Sequence, residues 1–289
     1  MQAPECIWQA KAELGEGARY DAAHDQVWWV DILGQKIFRL DLGSGEKTVW
    51  PTPEPVGCTY ACKDGSVLAL FRRSIVRLNT TDGTFDTVLT FDDEPANNRF
   101  NDGTVGPDGG LWAGSMDFDF QLPTGALYHV APDLAIRRAD AGYTVVNGPA
   151  ISPDGRRLYV NETMTGEVFC HDLGPDLRSL SGKRVFARIV PEDGLPDGIC
   201  VDAVGGLWVA LVTGGKVRRY LPDGSVDREI VLPCPTVTSV CLGGADGRTL
   251  FVTTGRILMD DATLDAHPLS GSLFSIRVDH SGQASALFG

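Results

Sequence analysis

The chain has 289 residues, 43% hydrophobic and 22% charged, an ordinary globular balance and enough length for one large domain. Its formal net charge of -13 sets aside nucleic acid and anionic membrane as partners, because a surface of that sign repels both. The first fifteen residues include Glu5, Lys11 and Glu13 with no long apolar stretch, and the apolar run at residues 207–212 is far too short to cross a bilayer; a cytoplasmic location is expected.

In chain order, residues 5–14 (ECIWQAKAEL) read as a strand with no hairpin partner of its own. Then one pattern recurs six times: a turn, commonly with Asp-Gly, followed by a short apolar strand. The six strands are VWWV at Val27, VLAL at Val67, LWAG at Leu111, LYVN at Leu158, LWVA at Leu207 and LFVT at Leu250, spaced 40, 44, 47, 49 and 43 residues apart. Each is followed by a hairpin, such as QKIFRLDLGSGEKTVW after the first and GSLFSIRVDHSGQASALF after the last. A repeat of that length holds about four strands, which is the content of a propeller blade. The expected fold is therefore all-β, a six-bladed β-propeller of four-stranded blades spanning 1–289 as a single domain. The economical closure is for the N-terminal strand to complete the last blade and so remove an exposed edge. Only DDATLDAHP, residues 260–268, suggests a short helical turn.

The inner strand of a blade begins about ten residues before its apolar anchor. Glu16 lies 11 before Val27, Asn101 lies 10 before Leu111, Asn147 lies 11 before Leu158 and Asp197 lies 10 before Leu207. The same register offers Val56 and Gly57 in the second blade and Val237 and Thr238 in the sixth. Four blades thus bring two carboxylates and two amides to one rim, an oxygen set suited to a hard divalent cation. Each motif alone, NDG above all, is an ordinary turn sequence; the joint register makes the case for a site. Arg99 reads equally as a surface charge. The seven cysteines form no CxxC pair and read as free thiols, and the five histidines as solvated. Ser115 reads as a small strand residue. No nucleophile elbow, HExxH, Walker or EF-hand pattern occurs.

The segments LGEG, NNRFNDG followed by LWAGSM, NGPAISPDGRRLYVNET, PDGICVDAVGGLWVAL and VTSVCLGGADGRTLFVTT resemble, in order and over nearly the whole chain, the gluconolactonase, senescence marker protein (regucalcin) and luciferin-regenerating enzyme family. That resemblance implies a six-bladed propeller with one divalent metal (Ca, Mg, Mn, Zn or Fe(II)) in its channel, held by Glu16, Asn147 and Asp197. It implies substrate contacts from Arg99, Asn101 and Asp119, with Asp117 as a rival to the last, and Asp197 as catalytic base, a metal-bound hydroxide being the alternative base. The implied activity is hydrolysis of a small-molecule sugar lactone to the aldonic acid, by a monomer or weak dimer. The alternatives are a phosphotriesterase or arylesterase of the same fold, and a non-enzymatic calcium-binding scaffold.

Overall fold

The structure is a computed structural model describing residues 3–289. Its strands form six four-stranded antiparallel sheets arranged as the blades of a β-propeller. The inner strands are Gly15–Asp21, Thr59–Ala61, Asn98–Val105, Val146–Ile151, Leu195–Val201 and Val237–Gly243, and every apolar anchor lies in the second strand of its blade. Those second strands read as continuous apolar runs because they are covered on both faces: Trp29, Trp112 and Trp208 are all fully buried. The core lies between blades. One cluster packs Trp208, Val217 and Ile230 of the fifth blade against Val240, Leu250 and Phe274 of the sixth.

The ring closes as expected. Strand Glu5–Trp8 pairs antiparallel with Leu273–Arg277, placing Glu5 opposite Ser275, and becomes the outermost strand of the sixth blade. The strand is shorter than the segment read from sequence: beyond it Ala12 N–H bonds Gly271 O, and Leu14 bridges Gly255 while its carbonyl accepts from Ile32 N–H of the first repeat. Trp8 locks the seam: its ring meets Trp29 at 5.6 Å and Phe38 at 5.2 Å, edge to face.

The turns joining first and second strands are tied by aspartates. Asp64, Asp154 and Asp246 accept from the backbone N–H groups of Ser66, Arg156 and Arg248 at 2.9, 3.1 and 3.0 Å. At the opposite end of the ring a related device recurs. Asp31, Asp117 and Glu162, each closing a second strand, capture loop N–H groups: Asp31 those of Glu13 and Leu14, Asp117 those of Gln121 and Leu122, Glu162 those of Thr144 and Met164.

Three expectations need correcting or sharpening. The NDG of residues 101–103 is not a turn; it lies inside an inner strand. His129 and His171 are not solvated but buried on third strands, against Asp108 at 3.1 Å and Asp140 at 3.6 Å; burial lowers both imidazole pKa values, that of His171 to about 4. The short helix is present as Asp261–Ala266, with Asp260 capping Thr263 N–H.

The last residues run across the far mouth of the channel, opposite the starts of the inner strands. Ser281 and Gly282 bond to Ala203 and Gly247, Gln283 Nε2 donates to Ile151 O and Val201 O, and Ser285 Oγ donates to Tyr20 O. Phe288 pairs with Ala61 and Lys63, and Gly289 N–H with Gly109 O. This strap touches all six blades.

Candidate metal centre

Glu16, Asn101, Asn147 and Asp197 all sit near the starts of their inner strands, and all are buried (4–6% exposed). A break in strand register falls at each of them. Pairing with the second strand skips between Glu16 and Arg19, Phe100 and Gly103, Asn147 and Ala150, and Pro196 and Ile199. Bulges of this kind re-aim side chains that a regular pleat would alternate. Two glycines make the bends possible. Gly17 has φ 60° with Cys58 Cβ 2.8 Å from where a side chain would begin, and Gly148 has φ 75° with Ile199 Cγ1 at 2.5 Å.

The amide orientations form a relay. Arg99 Nη1 donates to Asn101 Oδ1 at 2.7 Å, Asn101 Nδ2 donates to Asn147 Oδ1 at 2.8 Å, and Asn147 Nδ2 donates to Thr163 Oγ1 at 3.0 Å. A guanidinium cannot accept, so each amide in the series has one allowed orientation. Arg99 is thus a buried member of the cluster rather than a surface charge, and burial lowers its pKa to about 10.

Glu16 and Asp197 set the electrostatics. Burial pushes the Glu16 carboxyl up to about 7, assisted by the charge of Asp102, while Gly17 N–H and Arg99 oppose the shift. Burial pushes Asp197 well above the carboxylate range, with the Glu16 charge next in importance. Among the described residues no three His, Cys, Asp or Glu side chains gather as a metal-holding group. A site here would use two carboxylates and complete its oxygen set with amides. The donors fit that role: the two carboxyls resist ionising together without a compensating cation, and Asn147 Oδ1 spends only one of its two lone pairs on Asn101.

Asp119 stands apart. It is exposed and accepts from Asn97 Nδ2 at 3.0 Å, while Asp117 is occupied with backbone N–H groups and Asn97. Ser115 is buried and bonds the backbone of Ala126. Loops 118–124 and 255–272 both leave second strands at the end where the cluster sits. Sequence reading passed over Asn161. Fully buried and paired in register with Asn147, it donates through Nδ2 to the backbone carbonyl of Asp197 in the next blade, and its Oδ1 has no partner. A polar residue within the apolar anchor LYVN was the available signal.

Beneath the cluster a guanidinium bars the channel. Arg19 reaches from the first blade to the third, where Nη2 meets Asp102 Oδ1 and Gly103 O, and it lies over the Tyr60 ring at 5.6 Å. Burial alone would lower the Arg19 pKa; the Asp102 charge, together with smaller contributions from Tyr60, Cys58 and Cys241, raises it. A cavity of about 240 Å³ lies on the far side of this bar, under the C-terminal strap. The convergent polar groups that mark the chemistry lie above the bar, outside this cavity.

Residues 14–256 match the family described as SMP-30/gluconolactonase/LRE-like region. L-arabinolactonase of Azospirillum brasilense is 32% identical over 279 residues, covering 95% of this chain and 92% of its own length. 6-Deoxy-6-sulfogluconolactonase of Pseudomonas putida is 32% identical over 288 residues, 98% of each chain. Among solved structures, the calcium-binding protein regucalcin of Agrobacterium tumefaciens superposes with a TM-score of 0.94 at 28% identity, covering 99% of this chain and 97% of that one. The chain belongs to the SMP-30/gluconolactonase/LRE-like family.

Proposed function

We propose that this protein hydrolyses sugar lactones to aldonic acids with one divalent cation held by Glu16, Asn147 and Asp197. The observation carrying this reading is the pair of buried carboxyls, Glu16 and Asp197, whose pKa values are both raised and which share a rim with two oriented amides. The lactonase names of the two relatives, each covered almost end to end, support the reaction class.

A bound dication would supply Lewis-acid polarisation of the lactone carbonyl. Asp197 takes the proton of the attacking water as the oxygen joins the carbonyl carbon, and returns it to the ring oxygen when the ester C–O bond breaks. Asn101 orients the substrate, and Arg99, tied at Nη1, has its remaining N–H groups for sugar hydroxyls. Asp119, at the start of loop 118–124, is the outer contact that selects among sugars. Ca, Mg, Mn, Zn and Fe(II) all suit the donor set, with the mostly amide and carboxylate oxygens favouring the harder ions.

The test is a panel of glucono-, xylono- and arabinono-lactones, followed by acid release with and without chelator, together with calorimetric metal titration. Chelator-sensitive turnover of at least one lactone is expected. Turnover indifferent to chelator, or metal affinity unchanged in Glu16→Gln and Asp197→Asn, overturns the assignment.

A further inference from the structure

The lower half of the channel is a second chamber, separate from the cluster of Glu16 and Asp197. Its ceiling is the Arg19–Asp102 bar, its walls include Ile151, Ile199, Val201 and Val240 from the far parts of three inner strands, and its floor is the strap at residues 282–287. At about 240 Å³ it exceeds the roughly 150 Å³ in which an apolar cavity is known to hold benzene, leaving room for about ten non-hydrogen atoms.

Arg19 faces this space with donors to spare, in a lining that also holds Thr59, whose Oγ1 has no hydrogen-bond partner. Arg19 lies deep within the ring, yet 24% of its side chain remains accessible, against 3% for its partner Asp102. Its Nη1 and Nη2 groups contact Ala18 O, Asp102 and Gly103 O, and a guanidinium carries five N–H donors, so donors are left over. Cys200, also lining the chamber, is only partly covered. The strap offers a way in: residues 284–286 are exposed and are held at mid-length by Ser285 Oγ on Tyr20 O, while Gln283 and Phe288 anchor either side.

Charge decides the ligand. The Arg19 cation is already balanced by Asp102, and Asp21 adds another carboxylate to the lining. An anion would meet two carboxylates and a protein of net charge -13. A neutral carbonyl oxygen can accept from Arg19 without that repulsion, and an apolar body matches the walls. We infer that the chamber is a second ligand site, taking a small, neutral, largely apolar molecule that presents one carbonyl to Arg19. This inference does not rest on the lactonase reading.

Acetophenone is the probe, with ethylbenzene lacking the acceptor and benzoate carrying a charge. Binding to the full-length protein is followed by methyl NMR of Ile151, Ile199, Val201 and Val240, with affinities from calorimetry. Acetophenone should shift these methyls, and both comparators should bind about tenfold more weakly or worse, since a hydrogen bond to a charged donor is at stake. Cys200→Phe, filling the chamber, should abolish binding, whereas Glu16→Gln should leave it intact. The methyl shifts on wild type decide the matter even if Cys200→Phe fails to fold. Absence of shifts at millimolar acetophenone, shifts confined to other parts of the protein, or equal affinity for ethylbenzene overturns the proposal.

Discussion

Arg99 donates to Asn101 Oδ1 at 2.7 Å and thereby dictates which end of the Asn101 amide faces Asn147. Removing the guanidinium frees two amides to rotate. Arg99→Met should lower kcat/KM by about 1–3 kcal/mol, roughly tenfold to a hundredfold, with far-UV circular dichroism unchanged. Asn101→Ala should do the same. Wild-type kinetics in Asn101→Ala would mean that the NDG bulge serves the strand alone.

Glu16 and Asp197 have distinct expected phenotypes. Asp197→Asn removes both a donor and the proposed base and should cost about a hundredfold or more in kcat. Glu16→Gln should be rescued in part by excess metal, and Asp197→Asn hardly at all. Equal rescue of both variants would remove the special role of Asp197.

The raised carboxyl pKa values make metal-free stability depend on pH. Between the ordinary Glu value of 4.5 and about 7, the native state holds a Glu16 proton that the unfolded chain has released. Stability therefore falls as pH rises through this window, by on the order of 3 kcal/mol for Glu16, and Asp197 acts in the same direction. With chelator present, the melting temperature should drop from pH 5.5 to pH 8 more steeply in wild type than in Glu16→Gln. Saturating metal should flatten the difference. Identical slopes in the two proteins would show that Glu16 is not the group responsible.

Asn161 holds the backbone of Asp197 from the neighbouring blade. Asn161→Ala should weaken metal binding by about 10–100-fold, the usual effect of losing a partner that orients a ligand. Calorimetry reads this directly. An unchanged affinity would confine Asn161 to packing.

The N-terminal strand closes the sixth blade, and Trp8 packs on Trp29 and Phe38. Trp8→Ala should cost about 3–5 kcal/mol, and removal of residues 1–13 should lower the melting temperature further and promote association through the bared edge. A truncated chain melting like the full one would contradict the seam.

The propeller was legible because its second strands are covered on both faces, so VWWV, LWVA and their counterparts stand out as apolar runs at blade spacing. The ring residues were legible by counting back from those runs. The bulges were not, since NDG and NGP satisfy turn chemistry and bulge chemistry alike, and only pairing distinguishes the two. The buried histidines were missed because their covering partners, Asp108 and Asp140, come from other strands and turns. Asn161 escaped because its importance lies in a backbone carbonyl of another blade, which no side-chain pattern announces.

The seam between Glu5–Trp8 and Leu273–Arg277 joins a strand made before the first blade to one made in the sixth. During synthesis Trp8 has no complete pocket and its strand no partner until the sixth blade emerges. Blades one to five can pair internally as they appear, but the circle cannot shut before the sixth blade has been made. A nascent chain of this protein therefore carries an unpaired strand and an uncovered tryptophan while the five intervening blades are made, and the demand on chaperones should fall on the Glu5–Trp8 segment rather than on the blade that finally covers it.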